Sequence, residues 1–281
     1  MHQCTSCHSQ LPQAAKFCPT CGQPQLSGIK TATKPDFDWE GDFVNQANRF
    51  FRKRLEERIK AEQDEMKLNI YQERIYESGY RDTIQRRLEQ WANKIDRPVS
   101  LSNSAINLKT LKYLIDDLLD FFFVIHCPDI NVVILNEAIL SYQQRPNAAI
   151  DFSRMAMDFL YFEREEERVY TDFIKLPVKK IKNAAKQFLF PEKKEKIWFI
   201  CDQSLLGNAK EGFAMTDKAL YWKSGLQPAQ RVYYHKITSI QKEKEWLLVN
   251  DLFFNATPSL NTKMIWLLRR LVKIEKVKAE K

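Results

Sequence analysis

The chain has 281 residues, of which 44% are hydrophobic and 12% aromatic, enough apolar matter for more than one core and too much for a disordered protein. Its 44 Lys and Arg against 36 Asp and Glu leave +8, a mild bias that admits an anionic partner without demanding one. With only 7 glycines, no G-x-x-x-x-G-K-[ST] and no G-x-G-x-x-G, it carries no phosphate-cradling loop, and neither H-E-x-x-H nor G-x-S-x-G occurs.

The first 25 residues hold Cys4, Cys7, Cys18 and Cys21. Two C-x2-C knuckles, ten residues apart, each offer a pair of thiolates to one tetrahedral Zn²⁺. Gly22 follows the second knuckle, Pro19 sits within it, and Phe17 supplies an apolar plug. Metal-binding energy then replaces the burial that so small a module lacks. The run CTSCHSQLPQAAKFCPTCGQP resembles the short cytoplasmic zinc ribbons at the front of many prokaryotic multidomain proteins. It departs from them at His8, where glycine is usual; with four thiolates available, His8 reads as a solvated turn residue. The resemblance implies a structural site and no catalysis. Residues 26–38 are rich in Gly, Pro, Ser and Thr and are expected to be a linker.

From Trp39 to about Ile95 the apolar residues recur at three- and four-residue steps. Trp39, Phe43, Ala47, Phe50, Phe51, Leu55 and Ile59 form one series, and Ile84, Leu88, Trp91 and Ile95 another. Unbroken, this helix would run about 85 Å. Ser78-Gly79 is the natural break, giving either one rod or a hairpin of two antiparallel helices. Further helices are expected over 108–125, 130–143, 151–168 and 178–190, the first two ended by Cys127-Pro128 and Arg145-Pro146. Residues 39–190 therefore read as a helical bundle.

At Pro191 the pattern changes to short β-branched and aromatic segments. These are 197–201, 212–216, 219–223, 231–235, 237–240, 245–249 and 251–254, separated by turn residues. A last helix is expected from Ser259 to about Val277, with Met264, Leu267, Leu268 and Leu271 inward. The stretch Glu211 to Trp222, then Tyr234 to Ile240 and the final helix, is similar to the bacterial pleckstrin-homology-like domains. That resemblance implies a strongly bent seven-strand sheet plugged by a helix, and binding or assembly in place of catalysis. The expected fold class is thus α+β and multidomain: zinc ribbon 1–25, linker 26–38, helical domain 39–190, and β-domain 191–281 with its C-terminal helix.

Candidate chemistry is sparse. Asp116 and Asp120, four apart with Asp117 between, could hold a cation or an acid/base pair. A solvated helix stripe, or pairing with Arg81, Arg86 and Arg87, explains them equally. His126 and Cys127 are adjacent and diverge by about 100° on a helix, so Cys127, like Cys201, reads as a small buried hydrophobe. Basic residues are the other candidate: Lys179, Lys180, Lys182 and Lys186 in one stretch, Arg269, Arg270 and Lys273 in the last helix. If they converge, they form a surface for an anionic partner; a solvated helix face is the alternative. The N-terminus shows no signal-peptide pattern, no apolar run approaches roughly 20 residues, and metal-spaced thiols fit a reducing compartment, so a cytoplasmic location is expected. Together these features lead to a non-enzymatic adaptor with a structural Zn²⁺ and protein partners, the charged helices 39–95 suggesting self-association or the clamping of a partner. Nucleic acid or an anionic membrane is the alternative partner.

Overall fold

In a computed structural model the chain is described at residues 2–3, 7, 9–11, 20–21, 37–38, 41–95, 101–143, 145–225 and 227–279. Strands β1 (His2–Gln3) and β2 (Gln10–Leu11) pair antiparallel, with His2 opposite Leu11 and Gln3 opposite Gln10. Cys7 lies between them in the chain. Cys4, Cys18, Phe17 and nearly all of the expected linker, with Trp39, fall outside the described residues.

Helix α1 (Phe43–Glu62) starts where the Asp42 carboxylate accepts the Asn45 N–H at 3.0 Å. Its buried stripe is Ala47, Phe51, Leu55 and Ile59, a four-residue spacing that keeps one face inward. Helices α2 (Leu68–Glu77) and α3 (Tyr80–Ala92) follow. Gly79 forms the expected break, left-handed at φ +70°. The expected rod or hairpin is corrected to three helices, because α1 also ends at Gln63. There the Gln63 Oε1 leaves the helical path to accept from the Val132 N–H at 3.0 Å and the Tyr71 hydroxyl at 3.3 Å. Asp64 then caps the restart, accepting from Met66 N–H.

Helix α4 (Leu101–Phe121) runs into a π-helical turn, Phe122–His126, and buries Leu111, Ile115, Leu118, Leu119, Phe122 and Phe123. The helix expected over 130–143 shrinks to a 3₁₀ segment at Glu137–Gln143. Upstream of it Asn131 donates to the Phe123 carbonyl at 2.7 Å, so side chains hold the backbone where a helix would. Helix α5 (Phe152–Leu160), capped by Asp151, stops at Tyr161 in the left-handed region, φ 48°. The expected extension to Arg168 does not form; Arg168–Tyr170 is instead strand β3. Helix α6 (Val178–Gln187) comes next.

The seven expected strand segments all carry or adjoin strands: β4 (Ile197–Asp202), β5 (Gly212–Thr216), β6 (Ala219–Lys223), β7 (Gln230–Tyr233), β8 (Ile240–Glu243), β9 (Trp246–Val249) and β10 (Leu252–Phe254). The segment expected at 237–240 is displaced toward the C-terminus, because Tyr234–Lys236 makes a 3₁₀ turn first. A five-stranded antiparallel sheet has the order β3-β4-β5-β6-β7, and a three-stranded one the order β10-β9-β8. Gly212 at φ +133° faces the Cys201 carbonyl so closely that a Cβ would lie 2.1 Å from its oxygen. Helix α7 (Pro258–Ala279) closes the chain.

The chain is therefore α+β, with helices and two antiparallel sheets. A single apolar cluster holds Phe51, Leu88 and Phe123 together with Phe213, Leu247 and Trp266, so the helical and β portions share their core. Helix α7 joins them, packing on α5, β8 and β9. A smaller second cluster, with Ala184, Phe188, Ile200, Ala214 and Tyr221, fixes α6 to the other face of the five-stranded sheet. Among the described residues no helix is long and apolar enough to cross a membrane.

Candidate functional site: an internal ion-pair cluster and an exposed lysine face

The acidic stripe of α4 faces inward, between α1 and α7. Arg54 donates through Nε to Asp116 at 2.9 Å, and Arg58 to Asp120 at 2.6 Å and Glu62 at 2.9 Å. From α7, Arg269 pairs with Glu62 and, at 3.3 Å, with Asp120, while Lys273 pairs with Asp117 at 2.8 Å. The partners are thus Arg54, Arg58, Arg269 and Lys273, and not the expected Arg81, Arg86 and Arg87. Arg58 is only 1% exposed; its guanidinium stacks 4.4 Å from the Trp266 ring centroid and 5.0 Å from that of Phe123.

Electrostatics follow from this wiring. Burial pushes the Glu62 and Asp116 carboxyls up, but Arg269 and Arg58 at the first, and Arg269 and Arg54 at the second, more than offset it, and both titrate below the usual range. Asp117 behaves differently: burial outweighs Lys273 and its carboxyl is raised. Beside this cluster a cleft of about 350 Å³ opens between α1 and α4, floored by Phe50 and Ile115 and rimmed by Lys53, Arg54, Lys112 and Asp116. Arg54 already clamps the carboxylate in it. A buried carboxylate held by guanidinium groups is a poor proton carrier near neutral pH, so these groups join helices.

The sulfur candidates are also inert by environment. Cys127 and Cys201 are fully buried; burial lifts the Cys127 thiol to about 12 and the Cys201 thiol further still, so neither is a thiolate at neutral pH. His126 packs its ring 4.8 Å from that of Tyr80, and burial followed by the nearby Arg74 lowers its pKa.

The basic residues do not converge. Arg269 and Lys273 are spent on the internal cluster, and Arg270 donates to the Tyr142 carbonyl. Lys179, Lys182 and Lys186 project outward from α6. Lys180 folds back, with its Nζ 2.5 Å from the Tyr170 hydroxyl and 4.7 Å from the centroid of that ring. Of the cysteine quartet, Cys7 and Cys21 are exposed, Cys7 Sγ lying 3.0 Å from Ser9 Oγ. Cys4 and Cys18 lie outside the described residues. Among the described residues no three His, Cys, Asp or Glu come together as metal ligands.

Sequence reasoning missed Arg54, Arg58 and Glu62, although their four-residue spacing on a helix was visible. It also missed the Lys263–Glu165 pair, whose side chains are 1% and 6% exposed and which Ser259 completes by donating to Glu165 at 2.6 Å. No local pattern links those two, since 98 residues separate them. No protein-family model, curated protein or solved structure matches the chain.

Proposed function

We propose that this protein is a non-enzymatic, cytoplasmic adaptor that holds a protein partner, with a zinc ribbon at its N-terminus. The observation that carries the reading is the α1–α4–α7 ion-pair cluster. The groups best placed for acid/base work, Asp116 and Asp120, are consumed in binding the helical layer to the C-terminal helix. Such wiring favours a stiff body that presents surfaces over a site that turns over substrate. The seven strands from Ile197 to Phe254, followed by α7, support reading residues 191–281 as a pleckstrin-homology-like β-domain, a fold suited to docking.

Cys4, Cys7, Cys18 and Cys21 are the residues that would hold the zinc. Their spacing suits a tetrahedral thiolate set, and the β1–β2 pairing around Cys4 and Cys7 suits a knuckle. The metal would supply folding energy and no chemistry. The test is an affinity capture of partners by tagged full-length protein, with and without nuclease, with zinc measured on the same sample. A stable protein partner that survives nuclease, and one zinc per chain, is expected. Recovery of nucleic acid alone would replace the adaptor with a nucleic-acid-associated factor, and a zinc-free chain would remove the ribbon.

A further inference from the structure

Between Phe173 and Pro191 the chain has five lysines and no acidic residue. On α6, Val178, Lys179, Lys182 and Lys186 fall within roughly 120° of one another around the helix axis, and all four are exposed. The opposite side of α6 is tied down by Ala184 and Phe188 in the smaller core. The lysines therefore stand on a fixed support, away from the ion-pair cluster.

Four large apolar side chains project from the same region. Ile174 is 97% exposed and Val178 64%, and in the β4–β5 turn Leu205 is 98% and Leu206 80% exposed. That turn is built to present them. Ser204 donates to Asp202 and accepts the Asn208 N–H at 2.8 Å, with Gly207 left-handed at φ +60°. It is also tied to α6, because Asn183 donates to the Asn208 carbonyl at 2.7 Å. Leu206, two residues earlier, is thus within roughly 7 Å of backbone from that contact. Exposed Lys210 follows on the same turn.

We propose that the outer face of α6, with the tip of the β4–β5 turn, docks on an anionic phospholipid bilayer. Leu205, Leu206, Ile174 and Val178 enter the headgroup boundary while Lys179, Lys182 and Lys186 meet lipid phosphates. Nucleic acid would satisfy the lysines as well, but it offers nothing to fully exposed aliphatic side chains. A bilayer satisfies both. The inference goes beyond the adaptor reading and does not depend on which protein is held.

The experiment is co-sedimentation of full-length protein with phosphatidylcholine vesicles with and without phosphatidylglycerol, alongside binding to a duplex DNA oligonucleotide. Binding only to vesicles containing phosphatidylglycerol is expected. Each lysine reversed among Lys179→Glu, Lys182→Glu and Lys186→Glu should lower partitioning at least roughly fivefold. Leu205→Asp with Leu206→Asp should lower it more than roughly tenfold. All five positions are exposed, so folding is preserved and checked by an unchanged melting temperature. Absence of vesicle binding, equal binding to both vesicles, or a leucine double variant that binds like the parent would overturn the proposal. Tight DNA binding without vesicle binding would overturn it in favour of nucleic acid. In each of these cases a captured protein partner would still leave the adaptor reading standing.

Discussion

Arg269 and Glu62 lie 207 residues apart in the chain and form an ion pair at the junction of α7 with α1. Glu62 is simultaneously held by Arg58, and Arg269 reaches Asp120, so one guanidinium links the C-terminal helix to the first and fourth. Charge and not only apolar contact therefore sets how the last helix sits on the bundle.

Arg58 is the most demanding member of that cluster. Removing it leaves the buried Glu62 with Arg269 as its one remaining cation and takes from Asp120 its nearest partner at 2.6 Å, leaving Arg269 at 3.3 Å. Arg58→Ala is expected to cost about 3–5 kcal/mol in urea unfolding. An exposed pair such as Lys60–Glu65, with side chains 59% and 62% exposed, should cost under about 1 kcal/mol. Equal effects would mean that the cluster does not bear on stability.

The same groups set an acid limit. Glu62 and Asp116 have folded-state pKa values below their ordinary 4.5 and 3.8. Depressed acids contribute stability that is present above those values and lost as pH falls through the lower folded ones. Asp117, raised above 3.8 by burial, acts with opposite sign and is relieved on acidification. The depressed Glu62 and Asp116 predict a fall in melting temperature as pH drops below about 4.5, which Asp117 opposes. In Glu62→Gln that acid slope should flatten; an unchanged slope would assign it to other carboxylates.

Gly212 faces a backbone oxygen that cannot retreat. Gly212→Ala combines a φ of +133° with a Cβ 2.1 Å from the Cys201 carbonyl. A loss of more than about 1 kcal/mol is expected by chemical denaturation. Gly79→Ala, also at positive φ but with nothing near its Cβ, should cost less.

Thiol labelling distinguishes inert from reactive cysteines. Cys127 and Cys201, buried with raised thiol pKa values, should resist a thiol reagent in the native state at neutral pH and react after unfolding. Rapid native labelling of Cys127, assigned by mass spectrometry, would instead show an activated thiol beside His126.

Features that depend on neighbours a few positions away were legible in the sequence. The stripe Ala47, Phe51, Leu55 and Ile59, the break at Gly79 and, β8 excepted, the positions of the strands from Ile197 to Phe254 follow from local periodicity and turn chemistry. Tertiary structure alone decided the rest. Helix α1 stops at Gln63 because Val132, 69 residues on, supplies an N–H to its side chain. Residues 168–170 become a strand because Ile200 to Asp202 lie alongside them. Arg269 and Lys273 look on paper like the lysines of α6, and only the acids of α1 and α4 turn them inward. A charged side chain carries no mark of whether it will meet water or a counter-ion, since that depends on a partner brought from a distant part of the chain.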